Sequence, residues 1–350
     1  MRVDSEVAAR LSRIGATALH PAQLGAEVLG ELARAVGFDS AFFATSDPAT
    51  LLYTSALRRD MPDRASPAFI RAEFGAGDVN QLHRLARDRD PVGWLDGATR
   101  GRRFTSLRYR EAMAPFGLGD ELRVALRAGG SCWGLLCLHR AATSSGFTLR
   151  DTELLRRAAP SLAVGLRRGI AAEHAVASTD EDGPGVVVVG PDGGIHTATS
   201  AGQRWLDELA ALDSPPAGIP TVVRAVLTRL GAYDCAAPAA TTVRAPSGVW
   251  LSVQGARLRE PEEGWTTVVI GPAGPATLMP LIISGLGLTR REAEVCQRLV
   301  AGLSRKSIAA ELRISLHTVN DYVKSVFDKT DASSAGQLRT RLFADSLGPR

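Results

Sequence analysis

The C-terminal stretch LTRREAEVCQRLVAGLSRKSIAAELRISLHTVNDYVKSVFDKT, residues 288–330, guides how the rest of the chain is interpreted. It reads as three helices joined by short turns, and SSAGQLRTRLF at 333–343 reads as a fourth helix. Thr289 precedes Glu292 by three residues, which is the spacing of a capping box in which each side chain satisfies a backbone N–H. Apolar residues at helical spacing follow, and Gly302 is placed to end the first helix in a left-handed conformation.

Two serines are placed to cap the next two helices. Ser304 precedes a short helix, and Ser315 precedes the third one. Within the third helix, Val319, Val323 and Val326 recur at the spacing of a buried stripe. Its outer face then carries the polar residues His317, Asn320, Asp321 and Lys324. Asn and Lys can bond adenine and guanine in a major groove, and Asp can accept from cytosine. A short helix, a tight turn and a helix with a polar outer face make a helix-turn-helix arrangement.

Residues 287–343 resemble the C-terminal DNA-binding domain of LuxR-type (NarL/FixJ-type) transcriptional regulators. The LTRREAEV opening, the AGLSRKSIAAEL helix, the SLHTV start of the third helix and the lysine after it carry this resemblance. It implies base-reading positions in the third helix, phosphate contacts around the turn, and a fourth helix that forms a dimer contact. The implied DNA-binding residues are Arg305, Lys306, His317, Thr318, Asn320, Asp321, Lys324 and Lys329.

Three positions depart from the family pattern. Arg313 stands in the turn where the family usually has glycine, and a left-handed non-glycine residue costs about 1 kcal/mol. Thr330 stands where an apolar residue usually closes the third helix. Asp321 places a negative charge on the face that meets DNA. These departures concern the local turn and the base preference of the domain, and not its fold.

The charge of the chain is concentrated in this same segment. The net charge is +4 over 350 residues, with 41 Lys and Arg against 37 Asp and Glu. From Thr289 onward there are eleven basic and seven acidic residues, so the excess lies where a polyanion should bind. The arginine, alanine and glycine bias suggests a GC-rich bacterial source. The chain has neither a long apolar run nor a signal-like start, which predicts a cytoplasmic protein without a membrane span.

The N-terminal half reads as helix, helix, strand, strand, a variable helical middle, a hairpin and a long exit helix. Gly129-Gly130 is a good two-residue hairpin turn, and Pro160 lies inside the exit helix. The glycine- and arginine-rich stretch 91–116 reads as irregular or mobile. This order resembles a GAF domain. The resemblance implies either a small ligand held against one face of an antiparallel sheet, or a dimerising scaffold, and four candidates for the pocket lining are Trp94, Trp133, Arg123 and His83.

The middle of the chain reads as two strands, helices and then three strands, which resembles a PAS domain. GPAGPATLMP at 271–280 reads as a Gly/Pro-rich linker that lets the last domain move. The prediction is a multidomain α+β protein with two antiparallel-sheet sensor domains and an all-α four-helix helix-turn-helix domain. Its parts are a leading helix at 1–17, a GAF-like domain at 18–172, a linker at 173–183, a PAS-like domain at 184–272, a linker at 273–284 and a LuxR-type domain at 285–345.

No constellation of residues points to catalysis, a cofactor or a metal. The four cysteines lack metal-ligand spacing, and Cys132 and Cys137, five apart in one strand, should point to opposite faces. The six histidines are scattered, and His139 reads as a structural residue at the rim of a strand. Neither a phosphate loop nor a nucleophile elbow is found. An enzyme built on the GAF-like domain therefore has no catalytic set to support it.

The sequence predicts a transcriptional regulator that binds double-stranded DNA, most simply as a homodimer with one recognition helix per major groove. The GAF-like and PAS-like domains would then sense a small molecule or set the geometry of the dimer. RNA polymerase and an unidentified small-molecule effector are further partners that this function allows. The alternative is a sensory or protein-interaction scaffold without sequence-specific DNA binding.

Overall fold

In the part of the chain that the structure describes, two antiparallel sheets with their helices are followed by a block of helices, which confirms the predicted fold class. The computed structural model describes residues 2–17, 19–75, 77–171, 183–214, 218–231, 239–258 and 264–347. The predicted linker at 173–183 lies outside these ranges except for its last residue, as do His174 and Cys235. Within these ranges, no helix is both long enough and apolar enough to cross a membrane.

The first unit is a sheet with helices on both faces. Its strands are β1 (Ser40–Ser46), β2 (Tyr53–Arg59), β3 (Val92–Trp94), β4 (Leu118–Ala128) and β5 (Ser131–Ala141), in the order β3-β4-β5-β1-β2. Its helices are α1 (Arg2–Ala16), α2 (Pro21–Ala35), α3 (Ser66–Phe74), α4 (Leu82–Leu85), α5 (Leu95–Thr99) and α6 (Leu149–Ala171). Neighbouring strands are antiparallel, and α1, α2 and α6 cover one face.

Alternation along β4 sets the character of the two faces of this sheet. Leu122, Val124 and Leu126 pack under α1, α2 and α6 in one apolar core. Glu121 and Arg123 point to the other face, where α3 and α4 lie. The alternation of residues along β4 therefore gives the sheet one apolar face and one face that carries buried charges.

The stretch 91–116 is ordered, and the prediction that it is irregular was wrong. It contains β3, α5, two short 3₁₀ turns and a π turn at Tyr109–Met113. Leu95 and Met113 are completely buried in a small apolar cluster of their own. Burial of these few apolar anchors holds the segment, although glycine and arginine dominate its composition.

The predicted hairpin between β4 and β5 is present, with both turn glycines at positive φ. The prediction for its cysteines was wrong, because Cys132 and Cys137 pack in the same core cluster. Leu126 pairs with Gly134 but Arg127 pairs with Cys132, so one residue of β5 is extra at this point. This β-bulge shifts the alternation by one residue and turns both thiols to the same face.

The second unit has the predicted order of two strands, helices and three strands, with one short unpredicted strand between its two helices. Its strands are β6 (Gly185–Val189), β7 (Ile195–Ala198), β8 (Asp213–Ser214), β9 (Ala240–Arg244), β10 (Trp250–Arg257) and β11 (Thr266–Pro272), and its helices are α7 (Ser200–Ala210) and α8 (Thr221–Gly231). Five of the strands form an antiparallel sheet in the order β7-β6-β11-β10-β9. The PAS-like interpretation of this unit stays a prediction.

The two units share one apolar core. The short strand β8 pairs in parallel with β2 and so extends the sheet of the first unit. Residues of α8 and β10 belong to the same buried cluster as residues of α3, α4 and β5. The buried carboxylate of Asp47, in the loop after β1, accepts hydrogen bonds from Thr242 N at 3.0 Å and Thr241 Oγ1 at 3.1 Å in β9. The units are therefore joined by packing and by buried polar contacts.

The expectation of a mobile Gly/Pro-rich linker at 273–284 was wrong for most of its length. A helix, α9 (Pro275–Gly285), occupies this region and begins with a proline at its first position. Leu281 packs into the apolar core under α1, α2 and α6, and Ile283 packs into the core of the C-terminal helices. Leu278, Leu281 and Ile283 are buried from the middle of this helix onward, and this burial favours an ordered connection over a flexible one.

The C-terminal block consists of α10 (Arg290–Val300), α11 (Arg305–Leu312), α12 (Leu316–Thr330) and α13 (Ala335–Leu347). Thr289 and Glu292 form the predicted capping box at the start of α10. Gly302, with φ of +90°, lies in the turn that follows α10, as predicted. Ser304 accepts from Ser307 N and so caps α11.

Candidate nucleic-acid interface and sensor cavity

The helix α12 is oriented by its valine stripe. All three valines are buried, as the sequence predicts: Val319 and Val323 pack with α10 and α11, and Val326 packs with α9, α10 and α13. Ser315 caps the helix by accepting from Thr318 N at 3.0 Å. Because the buried residues recur every three or four positions, the opposite face of the helix must point to solvent.

The exposed face of α12 brings together four of the predicted site residues, namely His317, Asn320, Asp321 and Lys324. His317 Nε2 lies 3.7 Å from Asp321 Oδ2, one helical turn away. Arg305, at the start of α11, donates from Nη1 to Asn320 Oδ1 at 3.0 Å. The acidic residue of this face is thus next to an imidazole, and the amide is held by a guanidinium from the neighbouring helix.

The N-terminal ends of α11 and α12 carry three more predicted residues. Arg305 and Lys306 are exposed in the first turn of α11, and Thr318 is half-buried in the first turn of α12. Thr318 Oγ1 lies 2.8 Å from the capping Ser315 Oγ. Unpaired backbone N–H groups and basic side chains at a helix start form a favourable site for phosphate oxygens.

The eighth predicted residue, Lys329, lies at the surface but is ion-paired to a buried carboxylate of its own domain. Its Nζ donates to Glu292 Oε2 at 2.6 Å, and Ser325 Oγ donates to Glu292 Oε1 at 2.6 Å. Burial opposes ionisation of Glu292, but these bonds and those from Thr289 lower its pKa to about 2. One carboxylate therefore joins the start of α10 to the last turns of α12. The capping-box spacing predicted the bond between Glu292 and Thr289. The bonds from Ser325 and Lys329 join residues far apart in sequence, and no local pattern predicts them.

Two departures from the family pattern have clear local solutions. Arg313 adopts the left-handed conformation with φ of +54°, as the turn requires. Thr330 directs its Oγ1 to Val326 O at 2.7 Å, and so satisfies its hydroxyl within the helix. The helix-turn-helix geometry is therefore formed without glycine in the turn and without an apolar residue at the end of α12.

A cavity lies on the charged face of the first sheet, between this sheet and the second unit. Its volume is about 40 Å³. Of the four predicted lining residues only Arg123 borders it, because Trp133 is buried on the opposite face, Trp94 bonds Asp120 and His83 lies outside the lining. The polar lining residues are Arg58, Ser66, Glu73, Arg108, Glu121, Arg123, His139, Thr221 and Arg224.

Glu121 is the centre of an ion network beneath this cavity. Arg108 Nε donates to Glu121 Oε2 at 2.8 Å, and His139 Nε2 lies 3.2 Å from Oε1. Burial opposes ionisation of Glu121, but Arg108 and Arg123 hold its pKa well below the usual range. His139 is 1% exposed, so it is an interior residue and not the predicted rim residue.

Arg123 forms a second buried pair at the cavity. Its Nη2 donates to Glu73 Oε2 at 2.5 Å, and its Nη1 donates to Asn80 O at 2.6 Å. Cys137 lies beside it, and burial raises the pKa of this thiol to about 12. A thiol with such a pKa stays protonated at neutral pH and is a poor nucleophile. Among the described residues, no group of three or more His, Cys, Asp or Glu side chains is arranged to hold a metal ion.

Comparison with known proteins gives two family matches. Residues 286–341 match the model described as bacterial regulatory proteins, luxR family. Residues 20–166 match the model of the GAF domain. No curated protein matches the chain. Both matches confirm the resemblances that the sequence suggested for these two regions.

Solved structures show three distant likenesses. The VqmA dimer of Vibrio cholerae, described among LuxR-type receptors, has a TM-score of 0.19 and 18% identity, covering 47% of this chain and 82% of that one. SdiA of Escherichia coli has a TM-score of 0.29 and 14% identity, covering 94% and 92%. The DhaR(N)–DhaL complex of E. coli has a TM-score of 0.20 and 13% identity, covering 77% and 90%. The motifs of the sequence and the two family matches together show that this chain contains a GAF domain near its N-terminus and a C-terminal helix-turn-helix domain of the luxR family.

Proposed function

We propose that the protein is a transcriptional regulator that binds double-stranded DNA through α12 and responds to a small molecule through its GAF domain. The observation that carries this proposal is the division of α12 into two faces. Three valines anchor the helix inside the domain, and four polar residues remain exposed within eight positions. A helix presented in this way can enter a major groove without any change in the core of its domain.

The roles of the site residues follow from their chemistry. Asn320, Asp321 and Lys324 are proposed to read base edges, with Asp321 suited to cytosine and His317 beside it on the same face. The residues proposed to meet phosphates are Arg305, Lys306 and Thr318. A DNA contact by Lys329 remains a prediction, since its ammonium is already bonded to Glu292. The hydrogen bond from Arg305 to Asn320 must open, or be shared, when the amide reaches a base.

A homodimer on a two-fold-related site remains part of the proposal. The apolar residues Leu338 and Leu342 of α13 are buried within their own domain, against residues of α9, α10 and α12. A dimer contact through α13 would therefore use its polar, exposed residues, among them Gln337 and Thr340. The matched families are regulatory and sensory, which supports a regulator over an enzyme. RNA polymerase as a partner and a cytoplasmic location also remain proposals.

The decisive experiment is DNA selection from a randomised duplex pool, followed by affinity measurements on the selected duplex at fixed salt. We expect Lys324→Ala to weaken binding roughly 5- to 150-fold, because one good side chain–base contact is worth about 1–3 kcal/mol. Arg157→Ala, which removes an exposed guanidinium from α6, is the matched control and should leave the affinity unchanged. Equal affinities of the Lys324→Ala variant and the parent protein would exclude this placement of the recognition helix.

A further inference from the structure

The cavity on the GAF sheet is closed by the second unit. Strands β1, β2, β4 and β5, helix α3, Met61 and Arg108 form its floor and sides, and three residues in or just before the first turn of α8 form its roof. These roof residues are Ile219, Thr221 and Arg224. Any molecule held in the cavity therefore contacts both units at once, although the two belong to separate parts of the sequence.

The lining carries more cations than anions. Four arginines border the cavity against two carboxylates, Glu73 and Glu121, and both carboxylates are already bonded to Arg123 or Arg108. Two further acids lie nearby. Asp78 bonds the backbone N–H of Arg108, and Asp213 accepts from the backbone N–H of Thr221.

Two groups at the cavity favour a bound anion. Arg108 is 1% exposed, and its Nη1 has no hydrogen-bond partner within the described chain. The acid nearest to this Nη1 atom is Asp78, whose Oδ2 lies 3.9 Å away. A buried guanidinium N–H without an acceptor is costly, and a carboxylate oxygen is the acceptor that satisfies it best. Burial, followed by the nearby charge of Arg58, lowers the pKa of Arg224, so an anion would also favour the charged form of this side chain.

The size and the apolar walls of the cavity narrow the class of anion. A volume of about 40 Å³ holds about three water molecules, which is the space of a very small molecule. Phe42, Phe69 and Ile70 line the floor and sides, and Ile219 lines the roof. A polyanion such as a nucleotide is too large and too polar for this space. A carboxylate with a short carbon chain matches both the guanidinium groups and the apolar walls.

We propose that this cavity binds a small organic monocarboxylate and that the start of α8 is the lid that holds it. The proposal rests on the sensory role suggested above and adds the chemical class of the effector. Binding at this point ties the second unit to the GAF sheet, because Arg224 and Thr221 contact the occupant from one side and Arg108 from the other. A longer carboxylate enters only when α8 moves away.

The test is isothermal titration calorimetry on the full-length protein with acetate, propionate, butyrate and hexanoate at constant ionic strength. We expect saturable binding at one site, strongest for one of the short acids. Arg224→Met keeps much of the aliphatic stem but removes the charge, and should weaken binding at least tenfold, while Arg224→Lys should retain part of it. Arg157→Met on α6 is the control for loss of an exposed arginine. Arg108→Lys provides a second variant that keeps the buried charge.

Three results would overturn the proposal. The first is the absence of saturable binding by every acid of the series. The second is equal binding of inorganic phosphate or chloride, which would show a general anion site. The third is unchanged affinity in Arg224→Met and in Arg108→Lys. DNA binding is measured separately on the same preparation, so loss of the regulator proposal leaves the calorimetric result intact, and loss of carboxylate binding leaves the DNA result intact.

Discussion

The exposed face of α12 and the cavity of the GAF domain are built in opposite ways. The first is a set of four side chains from one helix, placed by helical periodicity within eight residues. The second collects side chains from Phe42 to Arg224, and α8 completes it only after the second unit has folded against the first. Exposed groups on a helix can change with little cost to the fold, whereas buried charges depend on every partner around them. The fold should therefore tolerate substitutions on the exposed face of α12 far better than substitutions in the cavity of the GAF domain.

The largest expected effect on stability is that of Glu121→Ala, which removes the central carboxylate of the ion network. The variant leaves the charges of Arg108 and Arg123 buried without their shared carboxylate, and we expect a loss of about 3–5 kcal/mol in the free energy of unfolding. Urea unfolding followed by circular dichroism measures this loss. Glu153→Ala removes an exposed carboxylate that pairs with Arg156 and Arg157 on α6, and should change stability little. Similar stabilities of the two variants would contradict the view that the cavity network cannot tolerate loss of its acid.

An intermediate effect is expected for substitution of Glu292, which links α10 to the last turns of α12. We expect Glu292→Gln to cost about 1–3 kcal/mol at pH 7, because the bond to the Lys329 ammonium is lost. The folded-state pKa of about 2 lies below the ordinary value of 4.5, so this stabilisation is complete above about pH 5 and is lost as the pH falls toward 2.

The pH dependence supplies a separate measurement on the same pair of proteins. Chemical unfolding of the parent protein and of the Glu292→Gln variant should show a clear gap at pH 7 that narrows at pH 3. A gap that keeps its size at both pH values would mean that the carboxylate charge is not what joins the two helices. This result would also weaken the distinction between the tolerant outer face of α12 and its fixed inner contacts.

The smallest effect is expected in the turn between α11 and α12. Arg313 has φ of +54°, so Arg313→Gly should stabilise the domain by up to about 1 kcal/mol, partly offset by the greater freedom of glycine in the unfolded chain. Gly302→Ala, at φ of +90°, is the matched control and should destabilise it by about the same amount. Thermal unfolding monitored by calorimetry gives both values. Destabilisation by Arg313→Gly would show that the arginine side chain contributes a contact that outweighs its backbone strain.

The features of the C-terminal helices were easier to predict from the sequence than those of the cavity. The caps at Thr289, Ser304 and Ser315 and the valine stripe were predictable, because each depends on residues a few positions apart. The hairpin and the long helix α6 were predictable for the same reason. The base contacts assigned to this face stay predictions, since nothing in the chain alone shows where DNA lies.

The features that could not be predicted depend on distant contacts or on one extra residue. The bulge beside Trp133 reversed the expected direction of Cys132, because strand alternation carries no signal of where it is interrupted. The apolar residues of α9, such as Leu281, pack against α6 and α10, and this packing stabilises the helix. The Gly/Pro-rich composition of the segment predicted a linker instead. The roof of the cavity required knowledge that α8 packs across the first sheet.

The two-residue strand β8 has a consequence for how the protein is made. It covers the free edge of β2, yet it is synthesised roughly 150 residues later, which on a ribosome takes on the order of ten seconds. During this interval the nascent GAF sheet has an open edge beside an uncovered apolar surface, and such edges pair readily with other chains. Arg58 and Arg59, at the end of β2, place two positive charges near that edge, which discourages pairing between identical chains until the second unit arrives.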